Sequence, residues 1–110
     1  MSGKPLLVIR VHIEPSMLTE FERWYHSVHL QNMLKIPGVV AAYRLSPARV
    51  GTNWVAVFKF DNEAALQEAF NSAEASRARQ AWQQWMPHIS EMSVEVYAAL
   101  TALPPYHHWN

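Results

Sequence analysis

The chain has 110 residues, half of them apolar, with nine basic residues balanced by nine acidic ones and no cysteine. This length supports one domain with a single core, and the charge balance argues against nucleic acid or an anionic membrane surface as a partner. Without a thiol there is no disulfide, thiolate nucleophile or cysteine-held metal, which leaves histidine as the natural proton-transfer side chain near neutral pH. The first element in chain order is "LLVIRVHI", Leu6 to Ile13, a predicted strand ending at Glu14-Pro15. Ser16 is then expected to cap a helix, with Glu20 and Glu22 near its positive end. On a helical wheel Met17, Phe21, Trp24, Tyr25, Val28, Asn32 and Ile36 gather on one side, and Pro37-Gly38 ends the helix.

"VVAAYRL" reads as a second strand, "SPARVGT" as a turn and "NWVAVFKF" as a third strand, together a hairpin. Asp61 or Asn62 is expected to cap a second helix carrying Ala65, Leu66, Ala69, Phe70 and Ala73. That helix should break near Ser72 and restart, bringing Trp82 and Trp85 to one face before Pro87. "SEMSVEVYAAL" is the last strand, and Pro104-Pro105 deny regular structure to the tail "TALPPYHHWN".

The order β-α-β-β-α-β predicts an α+β, ferredoxin-like domain over residues 1–110, with its core in 5–100 and a tail at 101–110. Four antiparallel strands would carry both helices on one face. The first and third strands are apolar on both alternating faces, so two helices leave one apolar face uncovered. A second copy of the same sheet is the expected cover, giving a homodimer whose barrel-like interior suits a small apolar or aromatic ligand. No apolar run approaches a bilayer span and no leader is apparent, so a soluble, cytoplasmic protein with no membrane partner is expected.

The stretch "FERWYHSVHLQNMLKIPGVVAAYRL" resembles the EthD-like branch of the dimeric α+β barrel superfamily. The residues that carry the resemblance are Phe21, Trp24, Tyr25, His29, Pro37, Gly38, Tyr43 and Arg44. The resemblance implies a homodimer with a pocket in each subunit between sheet and helices. It also implies kinship with cofactor-free monooxygenases of polyketide quinones, polyketide cyclases and muconolactone isomerases, and thus a cofactor-independent activity in aromatic or polyketide metabolism. Fold alone does not choose a reaction.

His29 is the sharpest site candidate. On an ideal wheel it sits on the shoulder of the apolar face, where an imidazole can reach a cavity edge and act as general acid and base. Its alternative role is to bond a carbonyl and fix the Pro-Gly turn. Tyr25 lies one turn earlier and could share a proton network with it, although large aromatics on an inner face also serve as core. Arg10 and His12 fall on the same strand face as Leu6 and Val8, where they either line the cavity or pair across the dimer. If Arg10 or Arg44 faces the cavity, its guanidinium could stabilise an enolate or carboxylate. Trp24, Trp54, Phe58 and Trp82 are expected as apolar lining, with His12 and Arg44 as further substrate contacts. Glu22, His26 and His29 have a metal-like helical spacing, but the wheel turns the first two toward solvent, so no metal is expected. Three glycines cannot build a phosphate cradle.

The expected function is a cofactor-independent enzyme working on an apolar aromatic, polyketide-like or lactone substrate by isomerase, lyase, cyclase or monooxygenase chemistry. The alternative is a dimer that binds a hydrophobic ligand without turning it over.

Overall fold

β1 (Lys4–Ile13) alternates between two apolar faces and takes a central place in the sheet, paired antiparallel with β3 (Trp54–Phe60) on one side and β4 (Ile89–Leu100) on the other. β2 (Val39–Leu45) completes the order β2-β3-β1-β4. The computed structural model describes residues 3–46 and 51–101, so part of the predicted turn (residues 47–50) and the tail from residue 102 lie outside the described residues. The element order and the α+β class are those expected.

The first helical stretch departs from expectation in two ways. Ser16 is not its cap: the chain enters through a 3₁₀ turn, Pro15–Met17, with Pro15 at its first position and the Met17 amide donating to the Glu14 carbonyl at 2.8 Å. α1 (Leu18–Trp24) then runs into a π-helical turn, Tyr25–His29, before α2 (Leu30–Leu34) continues. A wider turn inserts one residue and rotates everything after it. Val28, placed inward by an ideal wheel, is therefore exposed, and Asn32 is only half-buried, whereas His29 and Met33 turn fully inward. Phe21, Tyr25, His29 and Met33, spaced by four, form the buried stripe.

After Pro37, Gly38 adopts φ +93°, a conformation other residues rarely take. A Cβ there would come within 2.6 Å of the Ala65 Cβ, so the turn packs directly on α3 (Glu63–Phe70). Asn62 caps α3 through the Ala65 amide, and Ser72 caps α4 (Ala73–Trp82) through the Ala75 amide, so the predicted break falls at Ser72. A 3₁₀ segment, Gln83–His88, leads to β4. Asn53 fixes the start of β3 to the end of β1: its side chain accepts from the Ile13 amide at 2.9 Å and donates to the Ile13 carbonyl at 2.8 Å.

Both helical hairpin arms cover one face of the sheet. Leu7, Ile9, Val11 and Ile13 of β1 and Trp54, Ala56, Phe58 and Phe60 of β3 point into this main core. Phe21 is its aromatic hub, edge-on to Trp54 at 5.1 Å and to Trp85 at 5.2 Å between ring centroids. On the opposite face Val8, Val55 and Val57 form a small second cluster beside Leu6, and Tyr43 and Leu45 of β2 are exposed beside it.

Candidate functional site

Between the sheet and the helices lies a cavity of about 370 Å³, within the range of small-molecule sites. Leu7 and Ile9 form its floor, Met33 and Ile36 close one side, and Ala75 and Ala78 of α4 leave the space that larger side chains would fill. Met86, Met92, Val94 and Phe70 are exposed apolar residues at its opening. The mouth exists because the helices do not reach across edge strand β4, whose helix-side residues stay open.

His29 reaches this cavity because the π turn carries it inward, and π turns recur at functional positions. It is only 1% exposed. The indole N–H of Trp82 donates to its Nε2 at 3.0 Å, and Trp24 stacks on its ring at 5.2 Å between centroids. An Nε2 that accepts carries no proton, so the neutral ring holds its hydrogen on Nδ1. Nδ1 has no partner among the described residues. Burial lowers the His29 pKa from 6.5 to about 4, so the ring is neutral at physiological pH. The site is thus an apolar chamber whose wall contains a buried N–H donor without a partner among the described residues. Leaving such a group without a partner costs about 1–3 kcal/mol, which a ligand oxygen would relieve.

Among the candidate side chains, the cavity brings together His29 and Trp82. Tyr25 is buried beside them, its ring 5.2 Å from His29 and 4.8 Å from Trp54, but it packs in the core behind the lining. Burial raises its phenol pKa, with the positive charge of Arg44 pulling partly the other way. Trp54 and Phe58 are fully buried core residues away from the cavity. Trp24 lines a separate shallow groove with Trp85 and His88. Arg44 lies 3.9 Å above the Trp54 ring and pairs with Glu22, so both are engaged outside the cavity. Glu22, exposed His26 and buried His29 do not converge.

Arg10 and His12 share a face with Leu6 and Val8, and that face is turned away from the helices. The structure does not bring either to His29. Arg10 instead pairs with Glu95 on β4 at 3.0 Å, and His12 bonds the Gly51 carbonyl through Nδ1. Alternation in β1 fixes this: Leu7, Ile9 and Val11 already occupy the helix side, so Arg10 and His12 must take the other. Residues not anticipated as lining include Met33, Phe60, Leu66, Met92 and Arg79. The four-residue spacing of Phe21, Tyr25, His29 and Met33 was the sequence signal that would have placed Met33 inside.

Sheet order and helix placement define a ferredoxin-like α+β fold with a cavity between sheet and helices, and solved structures share this fold. An EthD family protein from Bacillus halodurans superposes with TM-score 0.69 at 16% identity, over 88% of this chain and 99% of that one. SnoaB, a cofactor-independent oxygenase from Streptomyces nogalater, gives 0.69 at 18% identity, over 94% of this chain and 100% of that one. The heme-degrader MhuD from Mycobacterium tuberculosis, solved with two hemes in its active site, gives 0.64 at 17% identity, over 91% and 99%. No family model and no curated protein sequence matches the chain.

Proposed function

We propose that this protein is a cofactor-independent small-molecule enzyme that forms a carbanion or enolate in the cavity beside His29. The observation that carries this reading is the unpartnered Nδ1 of a buried, neutral imidazole in an otherwise apolar chamber. The substrate class is an apolar aromatic, polyketide-like or lactone molecule with a carbonyl or phenolic oxygen. Similarity of fold to a cofactor-independent oxygenase supports the cofactor-independent, enzymatic part of this reading.

A general acid/base role for His29 requires Trp82 to release Nε2, the nitrogen whose lone pair would take the proton. A donor role leaves the Trp82 contact in place and needs only that the side chains covering the buried Nδ1 give way to a ligand oxygen. His29 therefore acts first as a fixed donor to the substrate oxygen, and this contact strengthens as negative charge develops there. A C–H bond beside the carbonyl breaks, its electron pair enters the enolate, and the proton passes to water at the mouth. Return of a proton gives isomerase or cyclase chemistry, and reaction of the enolate with oxygen gives monooxygenase chemistry. Tyr25 supports the His29 ring by packing. In this reading the working unit is a homodimer formed through the outer sheet face around Val8, Val55 and Val57, with Arg10, His12 and Arg44 outside the reacting centre.

Proton exchange tests the reading. With 1-tetralone in heavy water, the protein should accelerate loss of the α-proton signal by NMR, and His29→Phe should abolish the acceleration. Exchange at the uncatalysed rate with tetralone bound would favour the second reading, a non-catalytic binder, for which the nearly unbroken apolar lining speaks.

A further inference from the structure

Arg79 is the only charged side chain among the described residues that line the cavity. It stands on α4 one helical turn before Trp82, a rise of about 5 Å, and so lies at the open end of the same wall that holds His29. The other ion pairs of the described residues leave it aside: Arg10 pairs with Glu95, Arg44 with Glu22 and Arg77 with Glu74. Its Nη1 donates a long hydrogen bond, 3.4 Å, to the Phe70 carbonyl. A guanidinium carries five N–H donors in a planar fork, so most of the donors of exposed Arg79 are left without an acidic partner among the described residues. Among the described residues no carboxylate lines the cavity to oppose its field.

Resting on the reading of the cavity as the ligand site, we propose that its natural ligand is an amphipathic anion. Its apolar body would fill the chamber, an oxygen along that body would accept from His29 Nδ1, and a terminal carboxylate would lie on Arg79 at the mouth. The apolar rim of Met86, Met92 and Val94 would cover the part of the ligand between these two polar anchors. This polarity also sets direction: the charged end stays in water, where desolvation is slight, and the apolar body enters the chamber.

Calorimetric titration with 4-phenylbutyrate and its methyl ester at neutral pH tests the inference. The acid should bind at least about fivefold more tightly than the ester, with the difference shrinking in high salt. Arg79→Gln should remove the difference by weakening the acid alone, and Arg79→Lys should restore part of it. The exposed position of Arg79 leaves the fold intact, and ester affinity in each variant reports that directly. Equal binding of acid and ester to the unaltered protein would overturn the anionic class while leaving the cavity reading in place. A preference that survives Arg79→Gln would overturn the assignment to Arg79. Failure of both compounds to bind would overturn the cavity reading and the inference together.

Discussion

The indole N–H of Trp82 donates to Nε2 of His29 across 53 residues of sequence, joining α4 to the π turn inside the core. This contact sets the tautomer of the imidazole and hence what the cavity is offered. Trp82→Phe removes the donor and loosens the ring. The expected outcomes are a loss of about 2–3 kcal/mol of stability by urea unfolding and a rise of the His29 pKa from about 4 toward its ordinary value, followed by NMR titration. An unmoved pKa would mean that burial alone holds it.

Stability should depend on acid in a way traceable to His29. Its pKa is about 4 folded and near 6.5 unfolded, so between these values the unfolded chain binds the extra proton. This contribution to stability is fully present above pH 6.5 and is lost as pH falls toward 4, by about 3 kcal/mol in all. His29→Gln keeps an acceptor for Trp82 without a titrating group. Unfolding curves across that window should show a flatter pH dependence for the variant, and an unchanged slope would assign the effect elsewhere.

Gly38→Ala combines a disfavoured φ with a 2.6 Å clash against Ala65. A cost of about 2–4 kcal/mol is expected, seen as a lowered melting temperature. A change below about 0.5 kcal/mol would contradict the close packing of this turn on α3.

The outer sheet face carries the dimer expectation. Tyr43 and Leu45 are exposed there, so Tyr43→Asp with Leu45→Lys should spare the monomer fold while opposing sheet-to-sheet association. Light scattering should give twice the chain mass for the unaltered protein and the single mass for the variant. A monomeric unaltered protein at micromolar concentration would defeat the dimer.

Much of this molecule was legible from local chemistry. Alternation in "LLVIRVHI" put Arg10 and His12 on one face with Val8, and the start of one helix at Asp61 or Asn62 and a break near Ser72 were legible, the structure placing the caps on Asn62 and Ser72. What alternation could not decide was which face the helices cover, because both faces of β1 and β3 are apolar. Arg10 and His12 were therefore admitted as cavity residues, although they lie behind the sheet. The π turn was hidden for a different reason. An ideal wheel assumes a constant twist, so one inserted residue moved His29 from shoulder to centre and Val28 from inside to outside. Arg79 gave no signal in a polar helix stretch, since its meaning comes from the cavity mouth beside it.

The most direct measurement compares binding of 1-tetralone with that of its hydrocarbon, tetralin, in the unaltered protein and in His29→Phe. Any general disturbance of the cavity weakens both compounds alike, whereas loss of the Nδ1 donor weakens only the ketone. The expected result is a loss of about tenfold for tetralone with tetralin changed less than about twofold. Equal losses for both compounds, or none for either, would contradict a cavity organised around the His29 N–H.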